Sequence, residues 1–178
     1  YPCCRHLHTA IDAVYEIKEK NNVDISRISR VRVGVYRIAS QHDVRNLNIV
    51  LDAQMSLPYA VSAALCKDGL SVDDFRPDAA PRELWELMDK IEVYVDEKIE
   101  QAYPNERGAK VEIILDNGEV LSSFMPIPVG EPRRPLTFEQ MKHKFLTYCA
   151  PVLGETKAKT IIGEVERLEE SLAFLQSI

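Results

Sequence analysis

At 178 residues, with 46% hydrophobic and 28% charged side chains, the chain has the make-up of a globular protein able to bury a core, and differs from a disordered one. A formal charge of −6 argues against a nucleic-acid surface, which needs clustered excess Lys and Arg. No apolar run approaches the ~18 residues of a membrane span, and no secretory signal is visible, so the expectation is a soluble protein in the cytoplasm.

The chain opens at Tyr1-Pro2-Cys3-Cys4, without Met, directly in motif-like sequence. Natural amino termini are usually polar and loosely ordered, so the expectation is the carboxy-terminal part of a longer protein. Cys3, Cys4, Cys66 and Cys149 have neither a disulfide framework nor a Cys-x-x-Cys pair, which suits free thiols in a reducing compartment.

Residues 7–20 read as a helix, with Leu7, Ile11, Val14 and Tyr15 on one face, stopped by Asn21-Asn22. Val31, Val33 and Val35 alternate with Arg30 and Arg32, predicting a half-buried strand over 30–38. Residues 39–54 are polar and irregular. From Pro58 the pattern turns helical and rich in alanine, closing at Lys67-Asp68-Gly69; the proline sits in a first turn, where its missing N–H has no partner to lose. Pro81 opens a short helix through Met88, and Ile91, Val93 and Val95 form a second strand. Lys110–Leu115 and Glu119–Met125 flank Asp116-Asn117-Gly118, the strongest hairpin signal in the chain. The class is therefore α+β: a small, mostly antiparallel sheet covered by the helices from 7, 58 and 82, over residues 1–130.

Five residues, Pro126, Pro128, Gly130, Pro132 and Pro135, then break regular structure. Residues 131–178 are predicted to form a separate helical layer, with helices over 137–149 and 155–176. Thr137 with Gln140 makes a capping box, and Ala158, Ile161, Ile162, Val165, Leu168, Leu172 and Leu175 fall on one stripe.

The densest chemistry is Cys3-Cys4-Arg5-His6-Leu7-His8-Thr9. Two imidazoles, two thiols and a guanidinium suit proton transfer, an anion site or a metal site; the plain alternative is a polar helix start with solvated histidines. Zinc motifs need closely spaced ligand pairs with a second pair elsewhere, and the other histidines, His42 and His143, supply none, so no metal is expected. Tyr59, at the junction 52–59, is a second candidate, with a satisfied core tyrosine as its alternative. Arg133-Arg134 could hold a carboxylate or phosphate, but a solvated basic turn is the favoured reading. No phosphate-binding glycine motif is present.

In order, Tyr1-Pro-Cys-Cys-Arg-His-Leu-His-Thr-Ala, Ala53-Gln-Met-Ser-Leu-Pro-Tyr-Ala, the Asp-Asn-Gly hairpin, and Gly130-x-Pro-x-x-Pro-Leu-Thr with Lys144-Phe145 resemble the carboxy-terminal half of the MmgE/PrpD family, over essentially the whole chain. That family includes 2-methylcitrate dehydratase, cis-aconitate decarboxylase and iminodisuccinate epimerase. The resemblance implies that residues 1–130 are an α+β lid domain and 131–178 return to a helical domain. It also implies cofactor-independent lyase or isomerase chemistry, of the 2-methylcitrate dehydration type, beside a carboxylate of a small polycarboxylate. Its further implications are an amino-terminal half carrying other acid–base residues, a homodimer, and an isolated fragment without activity. Within this chain the resemblance makes His8, His6 and Tyr59 the catalytic candidates and Cys4 and Arg5 the substrate-binding ones. His6 matches the dehydratase pattern, His8 the decarboxylase pattern, and Cys4 neither. The alternative is a non-catalytic α+β assembly or ligand-binding module.

Overall fold

Alternation builds the sheet. In the computed structural model, which describes residues 1–168, strand β1 (Ile28–Val35) turns Val31, Val33 and Val35 fully inward. Strands β3 (Ala109–Leu115) and β4 (Val120–Met125) form the expected hairpin, with Gly118 at φ 83° in the turn, where a Cβ would be strained. Strand β2 (Ile91–Val95) runs parallel to β1, giving the order β2-β1-β3-β4: one parallel pairing and two antiparallel ones. The α+β class and its mostly antiparallel sheet are therefore as expected.

Helix α1 (His8–Lys20) buries Ile11, Val14 and Ile17 and lies against β3 and β4. Beside it packs α4 (Leu57–Cys66), whose Ala60, Ala63 and Ala64 are fully buried, so the many alanines do allow a close approach. Ser56 caps α4 by accepting from Tyr59 N–H. At the other end Lys18 Nζ donates to the carbonyls of Ala64, Leu65 and Lys67 at 3.1, 3.3 and 2.8 Å, satisfying acceptors that a helix end leaves open. Helix α5 (Arg82–Asp89), expected on the sheet, has α4 as its main packing partner. The opposite sheet face is polar, with Arg30–Glu92 at 2.6 Å and Arg32–Glu112 at 3.0 Å.

β1 ends at Val35, short of the predicted 38, where Glu100 accepts from Arg37 N–H at 2.6 Å. The chain turns there into α2 (Arg37–Ser40), and the polar stretch also holds α3 (Val50–Gln54). A further short helix, α6 (Glu97–Ala102), follows β2.

The chain divides into two compact units, Tyr1–Arg134 and Pro135–Ile178. In the second, α7 (Phe138–Leu153) starts with the expected Thr137–Gln140 capping box, and α8 (Glu155–Glu166) buries Ala158. A turn at Arg167-Leu168 follows α8; Leu172 and Leu175 of the predicted stripe lie outside the described residues. Among the described residues no helix is long and apolar enough to cross a membrane.

Candidate active site

Four segments of the first unit converge at the start of α1. Residues 2–4 are tied to the end of α3: Cys4 N–H donates to Gln54 C=O at 2.8 Å, and Gln54 Nε2 donates to Pro2 C=O at 2.8 Å. The loop after α2 is pinned by Leu57 N–H donating to His42 C=O at 2.8 Å and Ser56 Oγ donating to Val44 C=O at 2.6 Å. Thr9 Oγ donates to Arg107 C=O at 2.5 Å, fixing the segment before β3. The 127–134 turn is held by Asp12, which accepts from Val129 N–H at 2.7 Å and from Arg134 at 3.4 Å.

A chain of hydrogen bonds crosses this junction. Arg5 donates to Glu131 Oε1 at 2.7 Å, and its other terminal nitrogen lies 3.2 Å from His8 Nδ1. A guanidinium can only donate, so His8 Nδ1 accepts with its lone pair. The ring proton then sits on Nε2, 3.2 Å from the Cys3 carbonyl that accepts it. Arg107 approaches the same Glu131 oxygen at 3.8 Å. The Arg5 hydrogen bond holds the Glu131 carboxyl below the usual carboxylate range. Next to this bridge is a cavity of about 230 Å³, lined by Asn105, Arg107, Ile127, Glu131 and Arg133 among others. It is smaller than the ~300 Å³ at which pockets for drug-sized ligands begin.

His6 follows Arg5 in the chain. Its Nδ1 is 2.5 Å from the Tyr36 hydroxyl, and its ring stacks on His42 at 5.4 Å between centroids. Loss of solvent, then His42 and Arg107, lower its affinity for protons. Tyr36 in turn stacks on Tyr103 at 4.5 Å. Cys4 Sγ is 3.7 Å from His42 Nε2, whereas desolvation pushes the partly buried Cys3 thiol up to about 12.

The structure thus brings Cys4, Arg5, His6 and His8 to one junction. It does not bring Tyr59 there. Tyr59 is fully buried, its hydroxyl donates to Asp74 C=O at 2.9 Å, and its ring packs against Phe75 and Trp85. Burial first, then Asp74, pushes this phenol up to about 12.

The family model of the MmgE/PrpD C-terminal domain matches residues 1–170. The chain belongs to the MmgE/PrpD family. No curated protein matches it. In this MmgE/PrpD domain, sequence reasoning had not placed His42, Tyr36, Arg107 or Glu131 at the site. Each reaches the junction through tertiary contacts alone. His42 carried a signal of its own, as an imidazole in the polar stretch 39–54, and Glu131 lay within the Gly130–Thr137 candidate segment without a role.

Proposed function

We propose that this domain supplies part of the active site of a cofactor-independent lyase or isomerase acting on a citrate-like di- or tricarboxylic acid. Dehydration of the 2-methylcitrate type is the reaction favoured. The observation that carries the proposal is the Glu131–Arg5–His8 relay: a guanidinium that faces an acid on one side and the lone pair of a base on the other.

A substrate carboxylate competes with Glu131 for Arg5 and Arg107, since both cations already hold one carboxylate oxygen. When Arg5 swings to the substrate, His8 Nδ1 is released as a base. It takes the proton from the carbon next to the carboxylate, whose developing charge the guanidinium offsets. The C–H electron pair forms the double bond and the hydroxyl on the neighbouring carbon departs. The imidazolium gives that hydroxyl its proton, so water leaves and His8 is neutral again. His6, kept neutral by its surroundings, is the second choice for the same role. The remaining acid–base groups come from an amino-terminal portion, and the working protein is a cytoplasmic homodimer.

Steady-state kinetics of the full-length protein on 2-methylcitrate and cis-aconitate test this reading. Arg5→Lys should raise KM more than it lowers kcat, because a point charge replaces a planar fork. Unchanged kinetics in Arg5→Lys would rule out Arg5 as the carboxylate anchor.

A further inference from the structure

Cys4 and His42 are 38 residues apart in sequence, yet their side chains meet with His6 beside them. We propose that Cys4, His6 and His42 form a three-ligand site for a divalent ion of the zinc class, whose fourth position takes water or an external oxygen. The inference is independent of the reaction proposed above.

The ligand atoms of the three residues all lie within 4.8 Å of one another. With Zn–S near ~2.3 Å and Zn–N near ~2.05 Å, a tetrahedral ion sets its S···N edge at about 3.6 Å. The Cys4 Sγ to His42 Nε2 separation is 3.7 Å, already close to that edge. His42 Nδ1 lies 3.1 Å from the Met55 carbonyl, which can only accept. The ring proton is therefore on Nδ1, and the Nε2 lone pair faces the thiol. A backbone carbonyl orienting a ligand imidazole in this way is the outer-shell arrangement that metal-binding histidines use. On His6 the Tyr36 hydroxyl at Nδ1 serves the same end, since it can accept and leave Nε2 for the ion.

The backbone is set before any ion arrives. Cys4 N–H is bonded to Gln54 and His42 C=O to Leu57, so both ligand-bearing segments are held by the short chain between α3 and α4. All three side chains are partly exposed, which gives an ion a route in. A thiolate with two imidazoles selects zinc-class ions over magnesium or calcium, which take oxygen. Arg107 is the cation that bears on His6, but it and Arg5 share the Glu131 carboxylate. The proton that Cys4 releases on binding leaves a thiolate to offset the ion's charge.

Cobalt(II) reports such a site directly. Chelator-treated full-length protein should take up one equivalent of Co²⁺ and develop a thiolate-to-cobalt charge-transfer band with the visible bands of a tetrahedral ion. One equivalent of Zn²⁺ should then abolish them. Cys4→Ser, a one-atom change, should lose the charge-transfer band, and His42→Gln should weaken zinc binding by more than the ~10–100-fold that losing an outer-shell partner costs. Cys3→Ser should keep the full spectrum. Absence of the band in the wild type, its survival in Cys4→Ser, or its loss in Cys3→Ser would each overturn the proposal.

Discussion

Between Arg5 and His8 the direction of the hydrogen bond is forced, because a guanidinium has no lone pair to offer. That contact also ties the state of His8 to that of Glu131. The Glu131 carboxyl is held low in the fold by Arg5, so the sign of its contribution follows. Its stability is fully present above the ordinary glutamate value of about 4.3, and is lost as pH falls from there through the lower folded value. Melting temperatures of wild type and Glu131→Gln should differ near neutral pH and converge in acid. A constant gap across the range would show that Arg5 does not stabilise the ionised carboxylate. Tyr59 gives a contrasting expectation. Its hydroxyl has a backbone partner inside the core, so Tyr59→Phe should cost about 1 kcal/mol of stability and leave turnover unchanged. At this scale the sequence made Cys4, Arg5, His6 and His8 visible because they are neighbours in the chain. Glu131 and Arg107 were illegible as partners, since nothing local marks a charge that will meet another across 126 residues, as Glu131 meets Arg5.

Elements were more legible than partners, for a physical reason. Period-two burial is imposed by the pleat, so Val31, Val33, Val35 and the hairpin at Asp116-Asn117-Gly118 declared themselves. α2 has 4 residues and α3 has 5, too few for a helical period to develop. The predicted end of β1 lies too late because Tyr36, Arg37 and Ile38 again alternate apolar and polar, though one residue out of phase with Val31, Val33 and Val35. The Glu100 carboxylate on Arg37 N–H, not the pattern, turns the chain. On the polar sheet face Gly34 serves close packing: a Cβ there would sit 2.7 Å from the Tyr94 ring, which also lies under Arg32 at 4.7 Å. Gly34→Ala should therefore destabilise the protein by about 1–3 kcal/mol, the usual cost of overpacking. In a Tyr94→Ala background the penalty should largely vanish. Additive effects in that double-mutant cycle would place the cost in the backbone instead.

Across the whole molecule, the second unit exposes Phe138, Met141, Val152 and Val165, with Val152 at 82% of its full exposure. Where such side chains adjoin, the resulting apolar patch is seldom left in water. The 178-residue chain by itself is expected to self-associate, seen as a sedimentation coefficient that rises with concentration; a strictly monomeric species at all concentrations would count against this. The first unit carries the Arg5–His8 junction, where His8 is proposed to move the proton. The most direct measurement is the rate of water loss from 2-methylcitrate by the full-length protein, followed by NMR, in wild type, His8→Gln and His143→Gln. His143 lies on α7 in the second unit and serves as the control. Removal of a general base typically costs ~10²–10⁴-fold, so His8→Gln should lose that much while folding normally, and His143→Gln should match wild type. A folded His8→Gln protein that dehydrates its substrate at the wild-type rate would contradict the account.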